Sequence, residues 1–165
     1  NEWLNNVTTT YSPEEDPTQV KEVFIYTKGL KVGDAAQQGL ALDATIRPVK
    51  GLYISGVAKH FRKHYADFDP IDRSDRSEAG LDHKWSTPVQ PWELPKYTVV
   101  DLHAGYDLPF KLPGNAKVHV FMHVFNLFDE TYITDADDGG DHDAASAEVF
   151  LGLQRYINGG FRIEL

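Results

Sequence analysis

Hydrophobic and polar residues alternate with a period of two along much of this chain. The clearest run lies at positions 117–125, where the even-numbered positions are valine or methionine and the odd-numbered ones are lysine, histidine or phenylalanine. Because successive side chains of a strand point to opposite faces, this spacing predicts a β-strand with one apolar and one polar face.

Other segments carry the same alternation or are rich in β-branched and aromatic residues, so the sequence predicts an all-β antiparallel meander of seven strands. The predicted strands lie at 3–11, 20–28, 39–47, 52–59, 99–108, 118–125 and 154–165. Their connections alternate in length: short at 12–19, 48–50 and 109–115, and longer at 29–38, 65–95 and 129–150. Short turns at one end and long loops at the other are typical of outer-membrane barrels.

The two faces of the predicted strands differ in the way that a membrane requires. One face consists of leucine, valine and isoleucine, and would contact lipid. The opposite orientation would place charged side chains in the bilayer, at a cost of about 2–4 kcal/mol each at its midplane. The residues predicted to face the lumen are Asp101, His103, His119, His123 and Arg162.

The histidines on this polar face leave two interpretations open. Folding about the preceding turn brings His103 near His119 or its neighbour, and two imidazoles with Asp101 form a donor set that transition metals accept. The other interpretation is that these side chains line a polar lumen. The same two interpretations apply to His60 and His64.

A second candidate metal site lies in the acidic segment at 135–143. Asp135, Asp137 and Asp141 resemble part of a calcium-binding loop. An EF-hand loop that began at Asp135 would need glutamate at its twelfth position, where this chain has Ser146, and no flanking helices are expected. A solvated acidic loop is the alternative, since runs of charge are commonly exposed to solvent.

Composition narrows the function classes. The chain has 165 residues, a net charge of −9 and no cysteine, which argues against a nucleic-acid partner and excludes disulfides and thiolate chemistry. The sequence has no run of about 18 apolar residues, so no transmembrane helix is predicted. This does not exclude a membrane barrel, because barrel strands are short and give only a weak hydropathy signal. Motifs of phosphate-binding, zinc-protease or serine-hydrolase sites are absent, so neither an enzymatic activity nor a cofactor is predicted.

The block Asn126-Leu127-Phe128-Asp129-Glu130-Thr131-Tyr132 follows the 118–125 strand, and a second piece closes the chain soon afterwards. The second piece is Gly159-Gly160-Phe161-Arg162-Ile163-Glu164-Leu165. In order and spacing the two pieces resemble the C-terminal β-barrel region of a TonB-dependent outer-membrane receptor. The block has either a role near the outer end of the lumen or the task of closing a strand and starting a turn, for which Asn and Asp are suited. Its matching positions are Asn126, Leu127, Phe128, Asp129 and Tyr132.

The resemblance implies a fold and a function. Residues 1–165 would form the last third of a transmembrane β-barrel of about 22 strands, as a fragment without the N-terminal plug domain and TonB box. The complete protein would be a ligand-gated importer in the bacterial outer membrane, taking up a scarce nutrient such as a ferric siderophore. The implied partners are outer-membrane lipid, the plug domain, the TonB complex, the barrel-assembly machinery and a small-molecule or metal-chelate ligand.

The end of the chain adds a second family feature. Phe161, Ile163 and Leu165 resemble the C-terminal signal that the barrel-assembly machinery reads, although the family commonly ends on an aromatic residue rather than leucine. The alternative to a membrane barrel is a small soluble β-barrel or sandwich that binds a ligand, with its leucine and valine faces inside and its acidic face outside. A chain of this length can bury a core large enough for that alternative.

Overall fold

The computed structural model describes residues 1–12, 17–74, 89–110 and 113–165, so parts of the predicted connections at 12–19, 65–95 and 109–115 lie outside it. A short 3-10 turn occupies Pro70–Arg73, and no helix in the described ranges is long and apolar enough to cross a membrane. The strands are β1 (Val7–Tyr11), β2 (Lys21–Ile25), β3 (Gln38–Ile46), β4 (Leu52–Arg62), β5 (Tyr97–Asp107), β6 (Lys117–Phe125), β7 (Ile133–Asp137), β8 (Glu148–Leu151) and β9 (Tyr156–Glu164).

These strands form one larger sheet and two ribbons. The larger sheet has five strands in the order β3-β4-β5-β6-β9, and the pairs from β4 onward are antiparallel. The ribbons have two strands each, β1 with β2 and β7 with β8. The all-β, antiparallel fold class expected from the sequence is therefore confirmed.

The predicted single meander of seven strands is wrong in two places. β1 and β2 pair with each other in a separate ribbon and do not continue the larger sheet. The connection predicted at 129–150 as a loop contains β7 and β8. Alternation reports which way side chains point and not which strand is the neighbour. β7 also gives little signal because two of its five residues are aspartate, which is depleted in strands.

The register of the five-stranded sheet confirms the predicted alternation of faces. Directly opposed residues of an antiparallel pair share a face, so each row of partners shows what that face carries. One row on the apolar face crosses four strands at Ile54, Ala104, Met122 and Gly159. The adjacent row on the polar face crosses the same strands at Ser55, His103, His123 and Asn158.

Both long connections leave the five-stranded sheet from the same end. Residues 47–51 join β3 to β4 and residues 108–116 join β5 to β6, whereas residues 63–96 and 126–155 join β4 to β5 and β6 to β9. Successive connections of an antiparallel meander lie at opposite ends of the sheet. The short pair and the long pair are therefore segregated, as the sequence predicts.

The chain divides into two compact units. The sheet unit comprises Gly39–Phe61, Lys96–Tyr132 and Leu151–Leu165, and the loop unit comprises Asn1–Gln38, Arg62–Pro95 and Ile133–Phe150. In the loop unit, the long connections have a buried cluster of their own, in which Ala66 and Ala136 are 0% and 1% exposed. The other members of the cluster and its partly buried neighbours are Leu94, Trp92 and Ile133.

Candidate functional site

One face of the sheet unit carries exposed apolar side chains on β3, β6 and β9. Leu42 in β3 keeps 64% of its surface exposed, and Phe161 in β9 keeps 70%. Soluble monomers rarely expose large continuous apolar patches, so a face of this kind marks a surface that contacts something apolar. Its other strongly exposed members are Leu40, Ile46, Met122, Ile157 and Ile163.

The predicted assembly-signal residues are exposed as well. Phe161 and Ile163 lie in β9, opposite Val120 and Val118 of β6, and so belong to the apolar face. Leu165 follows β9 and is fully exposed. The three side chains are thus accessible at the edge of the sheet, where β9 is the last strand in the part of the chain that the structure describes.

The predicted lumen-facing residues lie together on the opposite face, and several are paired. Lys59 Nζ lies 2.9 Å from Asp101 Oδ2, and Asp101 is only 4% exposed. His119 Nδ1 lies 2.7 Å from Asp107 Oδ1, and Arg162 directly opposes His119 from β9. Two of these contacts join polar groups on this face, Lys59 with Asp101 and His119 with Asp107, as a polar surface would.

The three histidines predicted to cluster form a pair and a separate residue. His103 opposes His123 in the register, and their Nδ1 atoms are 2.9 Å apart. His119 is bonded to Asp107 instead, and Asp101 is committed to Lys59. The structure therefore selects His123, the neighbour, and not His119 as the partner of His103.

Asn126 anchors the family-like block through its side chain. It is 3% exposed and adopts a left-handed backbone conformation with φ 50°. Its Oδ1 accepts the N–H of Glu130 at 2.9 Å, while its Nδ2 donates to the carbonyl oxygens of Glu130 at 2.8 Å and Leu153 at 3.1 Å. Its own N–H donates to Asp101 Oδ1 at 3.0 Å.

Two further positions of the block bind neighbouring segments. The N–H of Leu127 donates to the carbonyl oxygen of Val100 in β5 at 2.7 Å. Asp129 Oδ1 accepts the N–H of Arg155 at 2.8 Å, just before β9 begins. The block thus ties the end of β6 to both of its neighbours in the sheet.

The aromatic residues of the block play unequal parts. Tyr132 stacks on Tyr97, with ring centroids 4.5 Å apart, and its carbonyl accepts the N–H of Gly152 at 2.8 Å. A Cβ on Gly152 would lie 2.1 Å from the Tyr132 ring, so only glycine fits beside this ring. Phe128 is 73% exposed. The contacts of the block support the interpretation that it closes a strand.

The acidic candidates for calcium do not converge. Asp135 Oδ1 accepts the N–H of the next residue at 2.9 Å, and Asp137 and Asp141 are exposed. In the part of the chain that the structure describes, no group of three or more histidine, aspartate or glutamate side chains is arranged to hold a metal ion. An acid that the sequence does not single out, Asp138, is instead fully buried and bonded to Arg73 and His142.

Arg73 and Asp138 form a buried ion pair at the centre of the loop unit. Arg73 Nη2 lies 2.8 Å from Asp138 Oδ2, with both side chains 0% exposed, and His142 Nδ1 lies 3.0 Å from the same oxygen. Arg73 Nη1 also donates to the carbonyl oxygen of Val89, and its guanidinium lies 5.1 Å from the ring centroid of Phe68. One side chain thus contacts three stretches of the loop unit.

Burial works against the charges of this pair. It raises the pKa of the Asp138 carboxyl and lowers the pKa of the Arg73 guanidinium, while their mutual attraction opposes both shifts. Asp138 Oδ1, Arg73 Nε and His142 Nε2 are buried without a hydrogen-bond partner among the described residues. The arrangement is therefore sensitive to the loss of either charge.

His64 makes the loop unit sensitive to acid. It is 4% exposed, and burial lowers its pKa below the ordinary value although Asp135 attracts the charged form. His64 therefore binds a proton more readily in the unfolded chain than in the folded one. We expect the free energy of unfolding of the loop unit to be highest above about pH 6.5 and to decrease as the pH falls below that value. The measurement is amide exchange of Leu94, whose N–H donates to the His64 carbonyl, at pH 7.5 and 5.5 after correction for intrinsic rates. His64→Gln should remove this dependence, and an unchanged pH response would assign it elsewhere.

Comparisons of the chain with protein-family models, with curated proteins and with solved structures give no match. The geometry of the sheet and of its two faces therefore carries the functional argument.

Proposed function

We propose that the chain is part of a TonB-dependent importer of the bacterial outer membrane, which takes up a scarce nutrient such as a ferric siderophore. In this proposal β3, β4, β5, β6 and β9 form part of the barrel wall. The observation that carries the proposal is the apolar face of the sheet with its exposed side chains, opposite a face that carries the Lys59–Asp101 ion pair and the His119–Asp107 contact.

Exposure of the apolar face to water is unfavourable in free energy, whereas contact with lipid is favourable. Full burial of one leucine, isoleucine or phenylalanine side chain is worth about 1.5–3 kcal/mol. Leu42, Ile157 and Phe161 forgo most of this gain while they stay more than 60% exposed. Acyl chains would supply the missing apolar surroundings, whereas Asp101 and His119 on the other face remain with polar partners.

The edges of the sheet support a larger barrel. β3 and β9 end the strand order of the sheet, so each has one edge without a sheet partner among the described residues. In hydrocarbon, unpaired backbone groups cost several kcal/mol each, and sheets span membranes only as closed barrels. In the family that the chain resembles, further strands complete a closed barrel of about 22 strands.

The difference in loop length between the two ends of the sheet indicates how it would be oriented in the membrane. Barrels of the outer membrane carry long loops outside and short turns on the periplasmic side. The end from which residues 63–96 and 126–155 leave would then face the exterior, where cargo arrives. The plug domain and TonB complex implied by the family would act from the lumen and the periplasm.

Adjacent substitutions in β3 test the lipid-facing assignment. In the complete gene product, Leu42→Arg should destabilise the folded barrel by about 2–4 kcal/mol if it reaches the bilayer midplane, whereas Ala41→Arg should be tolerated because its side chain points to the lumen. Both positions are exposed in the sheet, so the pair differs mainly in the face. Heat-modifiable migration of the outer-membrane fraction measures the folded population.

A soluble binding module with its leucine and valine faces inside makes the same forecast for this pair, because Leu42→Arg would bury an unpaired charge in its core. Fractionation of the unsubstituted protein separates the two hypotheses. Recovery in the soluble fraction without heat-modifiable migration would refute the importer and support the soluble module.

A further inference from the structure

His103 and His123 bring two imidazole nitrogens together on the polar face. Their Nδ1 atoms are 2.9 Å apart across β5 and β6. Two neutral imidazoles reach this distance by sharing one proton, since one nitrogen donates and the other accepts. When both neutral rings carry their proton on Nε2, both Nδ1 atoms offer a lone pair to a cation.

The separation suits one class of metal geometry. A metal with bonds of about 2.0–2.1 Å to two imidazole nitrogens holds them about 2.9 Å apart when the angle at the metal is about 90°. A tetrahedral angle would require about 3.3–3.4 Å. The observed 2.9 Å therefore fits neighbouring ligands of a square-planar or tetragonal ion without movement of either strand.

Aromatic rings hold the two imidazoles in place. The ring of Phe125 meets His103 edge-on at 5.5 Å and lies 6.1 Å from His123. Phe121 lies 5.4 Å from His123 on its other side along β6. A chelating pair fixed in this way loses little freedom when it binds an ion.

The directly opposed neighbours of the pair are uncharged. Ser55 and Asn158 occupy the directly opposed positions on β4 and β9, and the nearby Asp101 is bonded to Lys59. A site built on neutral nitrogen donors favours copper and nickel over calcium and magnesium, which prefer oxygen.

We propose that His103 and His123 bind one divalent copper or nickel ion as adjacent ligands, with water in the remaining positions. This assignment stands apart from the proposed import function, because it concerns binding by the chain itself.

Titration of the complete gene product, folded in detergent micelles, with copper(II) chloride tests the proposal. Electron paramagnetic resonance should show one ion per chain with hyperfine coupling to two nitrogens. His103→Gln and His123→Gln should each weaken binding at least ten-fold. His119→Gln is the matched control, because His119 lies on the same face with its own partner Asp107, and its replacement should leave the affinity unchanged.

A second measurement keeps the proposal testable if a variant fails to fold. In the unsubstituted chain, copper should selectively broaden the ring resonances of His103 and His123 in nuclear magnetic resonance spectra. Broadening centred on other histidines, spectra without two-nitrogen coupling, or equal affinities in the three variants would overturn the assignment.

Discussion

Replacing Arg73 with methionine is expected to destabilise the loop unit by about 3–5 kcal/mol, because it leaves the Asp138 carboxylate buried without its cation. Both side chains are 0% exposed, so water cannot compensate. Asp138→Leu should cost a similar amount through the stranded guanidinium. The readout is amide exchange of Tyr26 and Asp138, whose N–H groups donate to the carbonyls of Arg73 and Asp67.

The double variant separates charge pairing from packing. Arg73→Met combined with Asp138→Leu removes both charges, and apolar replacements of a buried pair are often neutral or stabilising. Most of the loss seen in either single variant should therefore be recovered, which a double-mutant cycle quantifies. If the two single losses simply add, the pair has no mutual interaction and the centre of the loop unit depends on shape alone.

The sheet could be predicted because its signal is local. In β6, whether a side chain is apolar or polar indicates which face of the sheet it lies on. Five or more alternating positions in a row suffice to identify the strand. The pairing of His103 with His123 was not fixed in this way, since a different length of residues 108–116 would place another β6 residue opposite His103. The metal-like geometry follows from that register.

The loop unit could not be predicted because its contacts are not periodic. Arg73 and Asp138 are 65 residues apart in sequence, and each stands in a polar segment that indicates solvent exposure. Charged residues are almost never fully buried unless paired, and the sequence does not record the partner. The strand-closing block lies between these cases, since Asn126 and Asp129 signal a turn but not the segments that they bind.

Asn126→Ala is expected to destabilise the sheet unit by about 4 kcal/mol. It removes three side-chain hydrogen bonds, each worth about 1 kcal/mol, and forces alanine into a left-handed conformation that costs about 1–2 kcal/mol. Urea unfolding in detergent measures the total, and exchange of the Leu127 amide reports the local contact with β5.

Two matched variants divide this loss between its causes and decide what the block does. Asn126→Gly keeps the hydrogen-bond loss but accepts φ 50°, so it should be about 1 kcal/mol milder than alanine. Phe128→Ala, at a side chain 73% exposed, should change stability by less than about 0.5 kcal/mol. If Phe128→Ala instead abolishes uptake in a stably folded protein, the block contacts cargo or plug in addition to closing β6. If uptake persists and only the Asn126 variants unfold, strand closure accounts for the block in full.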